Sequence, residues 1–296
     1  MKNTATLAIL IVVIVALTLS CIGQKELTVE EWKGYLTFMN PRIDQSAVNM
    51  VVELPNVENL PTGTHAVFEI ECEGSLEKLD MPSSMIMEFT ITGKEIINGI
   101  ECTVVNVAME MEGFAESVFL TFEGREWVDK TGAPVRVEGT ATGKSGEFTV
   151  PMTYTVERTG EEAYHGHECW IFSITQKMQM GQSAEEVKIV RYMDKESYVV
   201  VRVINEIWGE KVDTGYIEPL ISTGELEWVL KGREKITTNL GTYDCQLIYL
   251  MENDVVIGTI WANEEIRAPV KYVFSYETEY VGLEVTMILV EYSLGE

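Results

Sequence analysis

The chain of 296 residues is 46% hydrophobic and 23% charged, with 23 Gly and 8 Pro, which excludes a disordered chain and a collagen-like one. A mean hydropathy of +0.05 excludes a polytopic membrane protein. Acidic side chains outnumber basic ones 47 to 22, for a formal net charge of −25, and a surface so negative repels phosphate backbones, which excludes nucleic-acid binding.

The N-terminal segment reads as a targeting signal. Lys2 is the only charge before Lys25, and Ala5 to Leu19 is an unbroken apolar run apart from two Thr. One basic residue, an apolar stretch and a small residue before a cut form the secretory layout. Cys21 directly follows the small Ser20, which resembles a lipobox, whose cysteine receives lipid and becomes the mature N-terminus. The position three before Cys21 is Thr18, between Leu17 and Leu19. The other reading is an uncleaved anchor helix, because a run of this length reaches the lower limit for crossing a bilayer. Both readings hold the chain beyond Gln24 at the extracytoplasmic face of the cell membrane. Residues 1–20 are thus a signal peptide or membrane anchor, and 21–44 a tether with a short helix. Thr28 to Glu31 has capping-box spacing, Trp32, Tyr35, Leu36 and Met39 follow at helical intervals, and Asn40-Pro41 ends the pattern.

Residues 45–296 read as antiparallel β. Met85, Met87, Phe89 and Ile91 alternate with Ile86, Glu88, Thr90 and Thr92. Phe148 to Val156 and Val270 to Tyr276 alternate in the same way. Period two buries one face and wets the other, which antiparallel sheets tolerate. Turn signals such as Asn98-Gly99, Lys130-Thr131-Gly132 and Asn253-Asp254 give about a dozen strands, with no helical stretch fit for a βαβ crossover.

Three segments, about 94–138, 160–204 and 232–275, repeat one order of features: a Gly turn, a Cys strand, an aromatic–x–Asp/Asn turn, then a strand opening with Val and a basic residue. The first runs Gly99, Cys102, Trp127, Asp129, Val135-Arg136. The second runs Gly166, Cys169, Tyr192, Asp194, Val201-Arg202, and the third Gly241, Cys245, Trp261, Asn263, Val270-Lys271. The third copy, from Gly232 through Gly241-Thr242-Tyr243-Asp244-Cys245 and Trp261 to Pro269-Val270-Lys271, resembles uncharacterised envelope lipoproteins. These are similar in turn to the outer-membrane lipoprotein carrier group. The resemblance covers residues 225–293 and, more faintly, the two earlier copies. It implies a long curved antiparallel sheet, an unclosed or half barrel around an apolar concavity, with a helix near its N-terminus. The strand number leaves two fused half-barrels open. The group has no catalytic residues to transfer.

Cys72, Cys102, Cys169 and Cys245 are candidates for disulfides in an extracytoplasmic compartment; four cysteines allow three pairings and the sequence does not choose. His165, His167 and Cys169 alternate as a metal triad would, yet Asn98 and Ile100 occupy the two His positions in the first copy and could not ligate. Metal is therefore not expected, nor any cofactor. The pairs Met85/Met87, Met109/Met111 and Met178/Met180 each share a strand face, the last with Trp170 and Phe172. With Phe89, these read first as ordinary core and second as candidates to line an adaptable apolar cavity. Trp127, Tyr192 and Trp261 suit cross-strand pairing at hairpin ends. Nucleophile-elbow, zincin, P-loop and EF-hand patterns are absent from the sequence, so an enzyme is not expected. Residues 209–223, between the second and third copies, read as a lid or a connector. Together these features point to a membrane-tethered extracytoplasmic protein that binds a hydrophobic small molecule or lipid. The alternative is a structural or adhesive cell-envelope module with a filled core.

Overall fold

The computed structural model describes residues 28–29, 60–76, 79–80, 84–112, 118–145, 148–180, 183–195, 200–207, 210–217, 227–252, 254–277 and 281–295. Cys21 and all but the first two residues of the predicted helix lie outside them. The described residues are nearly all β. The first run of strands is β1 (His65–Leu76), the two-residue β2 (Leu79–Asp80), β3 (Ser84–Ile97), β4 (Ile100–Glu112), β5 (Val118–Val128), β6 (Pro134–Ser145), β7 (Phe148–Tyr164), β8 (His167–Met180), β9 (Ser183–Asp194), β10 (Val200–Ile207) and β11 (Glu210–Asp213). The second run is β12 (Glu227–Thr238), β13 (Gly241–Glu252), β14 (Val255–Asn263), β15 (Ala268–Glu277) and β16 (Val281–Ser293).

All of them belong to one antiparallel sheet that does not close. Its order is β11-β10-β9-β8-β7-β6-β5-β4-β3-β1-β16-β15-β14-β13-β12, with β2 beside β1. Each run is a meander of sequential hairpins, and the two are welded where β1 pairs β16 from His65↔Ser293 to Leu76↔Val281.

The topology requires the sheet to roll. The Ile217 backbone N–H donates to Val201 O on β10 at 2.9 Å, and β12, the opposite edge, begins only ten residues later. Ten extended residues reach about 35 Å. A flat sheet would separate β10 from β12 by thirteen strand spacings, about 62 Å. Rolling also explains burial. The inner face carries Ala66, Phe68, Phe89, Val105, Ile248, Ile260, Phe274 and Leu289, all nearly or fully buried. It forms one large core under β1, β3, β4 and β12–β16 and a second under β6–β10.

Each sequence copy folds into the same hairpin construction. The incoming strand is bulged near Gly93, Gly160 or Gly232. Beyond the bulge, Glu95, Glu162 and Glu234 lie directly across from Cys102, Cys169 and Cys245. The turn between is Asn98-Gly99 in the first copy, with φ of 51° and 83°, and His165-Gly166 in the second, with φ of 50° and 89°. Two successive positive φ values define the tight hairpin turn that favours Asn-Gly. On the next hairpin, Trp127 Nε1 donates to Glu95 at 2.9 Å, Trp261 Nε1 to Glu234 at 2.8 Å and Tyr192 OH to Glu162 at 3.4 Å. Arg136, Arg202 and Lys271 cover the same rings at 5.5, 5.1 and 5.3 Å. A second bulge, at Val135, Val201 and Val270, precedes each of those cations. The acid and the cation thus clamp each aromatic ring on the outer face.

The cysteines are part of this device. Cys102, Cys169 and Cys245 are free and buried, so they form no disulfides with one another; each occupies the same place in its own copy. Each thiol lies 3.5–3.8 Å from the carbonyl two residues back. The Cys72 side chain lies outside the described residues. Burial is the main force raising the thiol pKa of Cys102 and Cys169 from 9.0 and pushing Cys245 up to about 12. Well below pH 9 both folded and unfolded chains hold these thiols protonated; above it the unfolded chain ionises them first, and the folded chain holds Cys245 protonated up to about 12. Stability is therefore expected to fall as pH rises from about 9 toward 12. At pH 8 a thiol reagent should label these three cysteines only after denaturation. Rapid native labelling of any of them would contradict the burial.

Candidate functional site: the inner face of strands β4 to β9

The predicted lining residues divide between two cores and a rim. Met85, Met87 and Phe89 on β3 pair with Met111, Met109 and Val107 on β4, and all six are 8% exposed or less. The Phe89 ring lies 6.1 Å from Phe68, at 22°. These side chains are enclosed by others from β1 and β13–β16. They are packed core. Trp170 and Phe172 belong to the second core with Val137, Val156, Ile174 and Ile189. Met178 is half-buried on the same face, and the Met180 side chain lies outside the described residues.

Around Met178 the inner face opens. Following the strand register, Leu120 on β5 faces Gly143 on β6, Gly143 faces Val150 on β7, Met152 faces Met178 on β8, and Val187 on β9 lies beside them. With Ala141, every one of these is half-buried, whereas the same strands are sealed further along by Val137, Val156, Ile174 and Ile189. The local sequence explains the space. Gly124 and Gly139 are roofed by the Phe122 ring, which approaches within 2.7 and 2.8 Å of where a Cβ would stand. At Gly143 a Cβ would meet only Met152 Cε, at 3.9 Å. The Phe122 ring meets Tyr154 edge-on at 5.7 Å, and Gln176 Nε2 donates to Met152 Sδ at 3.1 Å. A strip with small residues in its middle and branched or thioether side chains at its sides can accept an alkyl chain.

A polar centre lies deeper on the same face. Glu126 on β5 is 6% exposed and Arg191 on β9 is 3% exposed. The Tyr154 phenol on β7 is pushed up to about 12, first by burial, then by Glu126, with Arg191 opposing. One tyrosine feels charges two strands to either side because the sheet rolls around it. Sequence reasoning missed this centre. The available signal is that Glu126 alternates in phase with Phe122 and Gly124, and Arg191 with Ile189 and Met193, which puts a charge at a core position in each strand.

At the end where the Gly hairpins lie, the inner face ends in a cleft of about 630 Å³ between the first and second copies. Its floor is the Arg158–Asp129 pair, Nη2 to Oδ2 2.7 Å, with side chains 7% and 12% exposed. Arg158 covers Trp170 at 5.3 Å. Asp129 Oδ1 also accepts from the Thr131 backbone N–H and hydroxyl at 2.8 and 2.6 Å. At the rim, Lys94 pairs with Glu101 at 3.2 Å and Lys195 with Glu161 at 2.5 Å. Lys130, also lining the cleft, is exposed.

The two histidines of the second copy flank Tyr216. His165 stacks on its ring at 4.8 Å and 16°, and His167 at 6.0 Å and 24°. His167 also lies 3.6 Å from the Asp194 carboxylate. Among the described residues no three His, Cys, Asp or Glu side chains gather as metal ligands.

No known protein family matches the chain, and no curated protein matches it. Among solved structures, a "putative lipoprotein" from Parabacteroides distasonis is similar at 11% identity, over 79% of this chain and 96% of that one, with a TM-score of 0.28. A likeness at that TM-score carries no functional argument.

Proposed function

We propose that this protein is a membrane-tethered extracytoplasmic lipoprotein that binds an apolar ligand, a lipid or fatty acyl chain, on the half-open strip of its inner face. The observation that carries the reading is the change along β5–β9 from sealed core at Val156 and Ile174 to half-buried apolar surface at Leu120, Met152 and Met178. Removing hydrocarbon from water against such a strip yields about 25 cal/mol per Å². The Cys21 pattern supports the tether, and mass spectrometry of the mature N-terminus tests it: an unmodified Met1 would reject lipidation.

The expected result for ligand binding is that added fatty acid raises Tm, by the mass-action stabilisation of about 2.7 kcal/mol at a hundredfold excess over Kd. Gly143→Trp places an indole in the space at the middle of the strip. It should keep the fold and abolish this gain. The filled core under β1, β3, β4 and β12–β16 favours a second reading, a tethered scaffold with no ligand. On that reading no lipid is retained, fatty acid leaves Tm unchanged and Gly143→Trp alters nothing but the local surface.

A further inference from the structure

We propose that the cleft between the first and second copies binds a phosphate group. The inference stands on observations separate from the apolar strip. The turns that follow Trp127 and Tyr192 place Lys130 and Lys195 at equivalent positions of the repeat, and both lysines line this one cleft. The third copy does not contribute to the cleft and carries Glu264 at that position, where it accepts from Arg233 at 2.6 Å. The lysine is thus present where two copies face each other and absent where they do not.

Charge balance gives the sign of the ligand. Three carboxylates line the cleft, and each has its own cation: Glu101 with Lys94, Glu161 with Lys195, and Asp129 with Arg158. Lys130 remains, with no acidic partner among the described residues. A site with three paired acids and one free ammonium, in a chain with 47 acidic and 22 basic side chains, favours an anion locally. The overall charge opposes anions at long range, so affinity has to come from contact inside the cleft.

The mobility of the cations narrows the class. Arg158 is held by burial, by Asp129 and by Trp170, and stays as floor. The Lys94 pair is exposed and the Glu161 partner of Lys195 is exposed; such pairs are worth little and can be exchanged for a ligand oxygen. Lys94, Lys130 and Lys195 come from three separate elements, the strand β3 and two hairpin turns. Three ammonium groups from three separate elements suit a tetrahedral phosphate, whose acceptor oxygens diverge, better than a planar carboxylate. A volume near 630 Å³ leaves room for a substituent on that phosphate.

The test is calorimetric titration of the full chain in neutral detergent at low ionic strength. The probes are glycerol phosphate, monomeric dihexanoyl-phosphatidylglycerol, and acetate as a carboxylate control. The expected result is saturable binding of a phosphate probe with Kd below about 1 mM. It should weaken at least tenfold in K130Q/K195Q and stay unchanged in K235Q on the edge strand β12, with Tm preserved in both variants. Tighter binding of the phosphatidylglycerol identifies a lipid headgroup as the source, and equal or tighter binding of glycerol phosphate identifies a free phosphate ester. Absence of saturable binding by either probe, equal binding of acetate, or affinity unaffected by K130Q/K195Q would overturn the proposal.

Discussion

Phe89→Ala is expected to destabilise the fold by about 3–5 kcal/mol, seen as a lower urea midpoint at unchanged slope. Phe89 is 1% exposed, stacks on Phe68 and sits where β1, β3 and β4 meet the strands of the second meander. Deleting its ring removes hydrocarbon burial and leaves a cavity whose walls, side chains from both runs of strands, cannot all collapse together. Met178→Ala should behave in the opposite way. Its side chain is half-buried at the rim, so the stability cost should be about 1 kcal/mol or less, while fatty-acid affinity falls. The pair of measurements separates core from binding surface. If Phe89→Ala were tolerated but abolished ligand binding, the large core would be a ligand wall after all, and the strip around Gly143 would lose its assignment.

The architecture was legible because local pattern and global fold agree. Met85 to Ile91 alternate in the sequence and bury alternately in β3. The three-copy order marks three real hairpin constructions, down to the glutamate, the ring and the cation. β4 buries both faces in turn: Cys102 and Val104 on one side, then Val105, Val107, Met109 and Met111 on the other. What period two cannot show is where the burial changes sides, because that depends on bulges such as the one between Ile91 and Gly93. Nor could it show which apolar face is filled. Met87 and Met178 look alike in sequence; one lies where two meanders converge and the other at the rim, and that difference arises only from the roll of the sheet. The Glu126–Tyr154–Arg191 centre was invisible for the same reason, since its members stand on three separate strands, β5, β7 and β9. The cysteines were no clearer: the sequence left three pairings open, and only the fold sets Cys102, Cys169 and Cys245 unpaired in separate hairpins.

Asp129→Ala is expected to cost about as much as the core deletion, about 3–5 kcal/mol, for an electrostatic reason. Asp129 is the partner of a guanidinium 7% exposed, and its other oxygen also accepts from Thr131 and from the Ala133 N–H at 3.2 Å. Alanine would strand the Arg158 charge against Trp170 and release the turn donors at once. Arg158→Met alone leaves Asp129 its turn hydrogen bonds and removes only one side of the pair, so it should cost less. The double variant Asp129→Asn with Arg158→Met restores a neutral floor and keeps an acceptor for the turn. It should be more stable than Asp129→Ala, and the cycle closed by the single variants Asp129→Asn and Arg158→Met should give a coupling energy of about 2 kcal/mol or more by urea unfolding at pH 7. A loss below about 1 kcal/mol for Asp129→Ala would mean that Arg158 reaches water when its partner is gone. The floor of the cleft would then be as mobile as its rim, and a fixed arrangement of cations around a ligand could not be built on it.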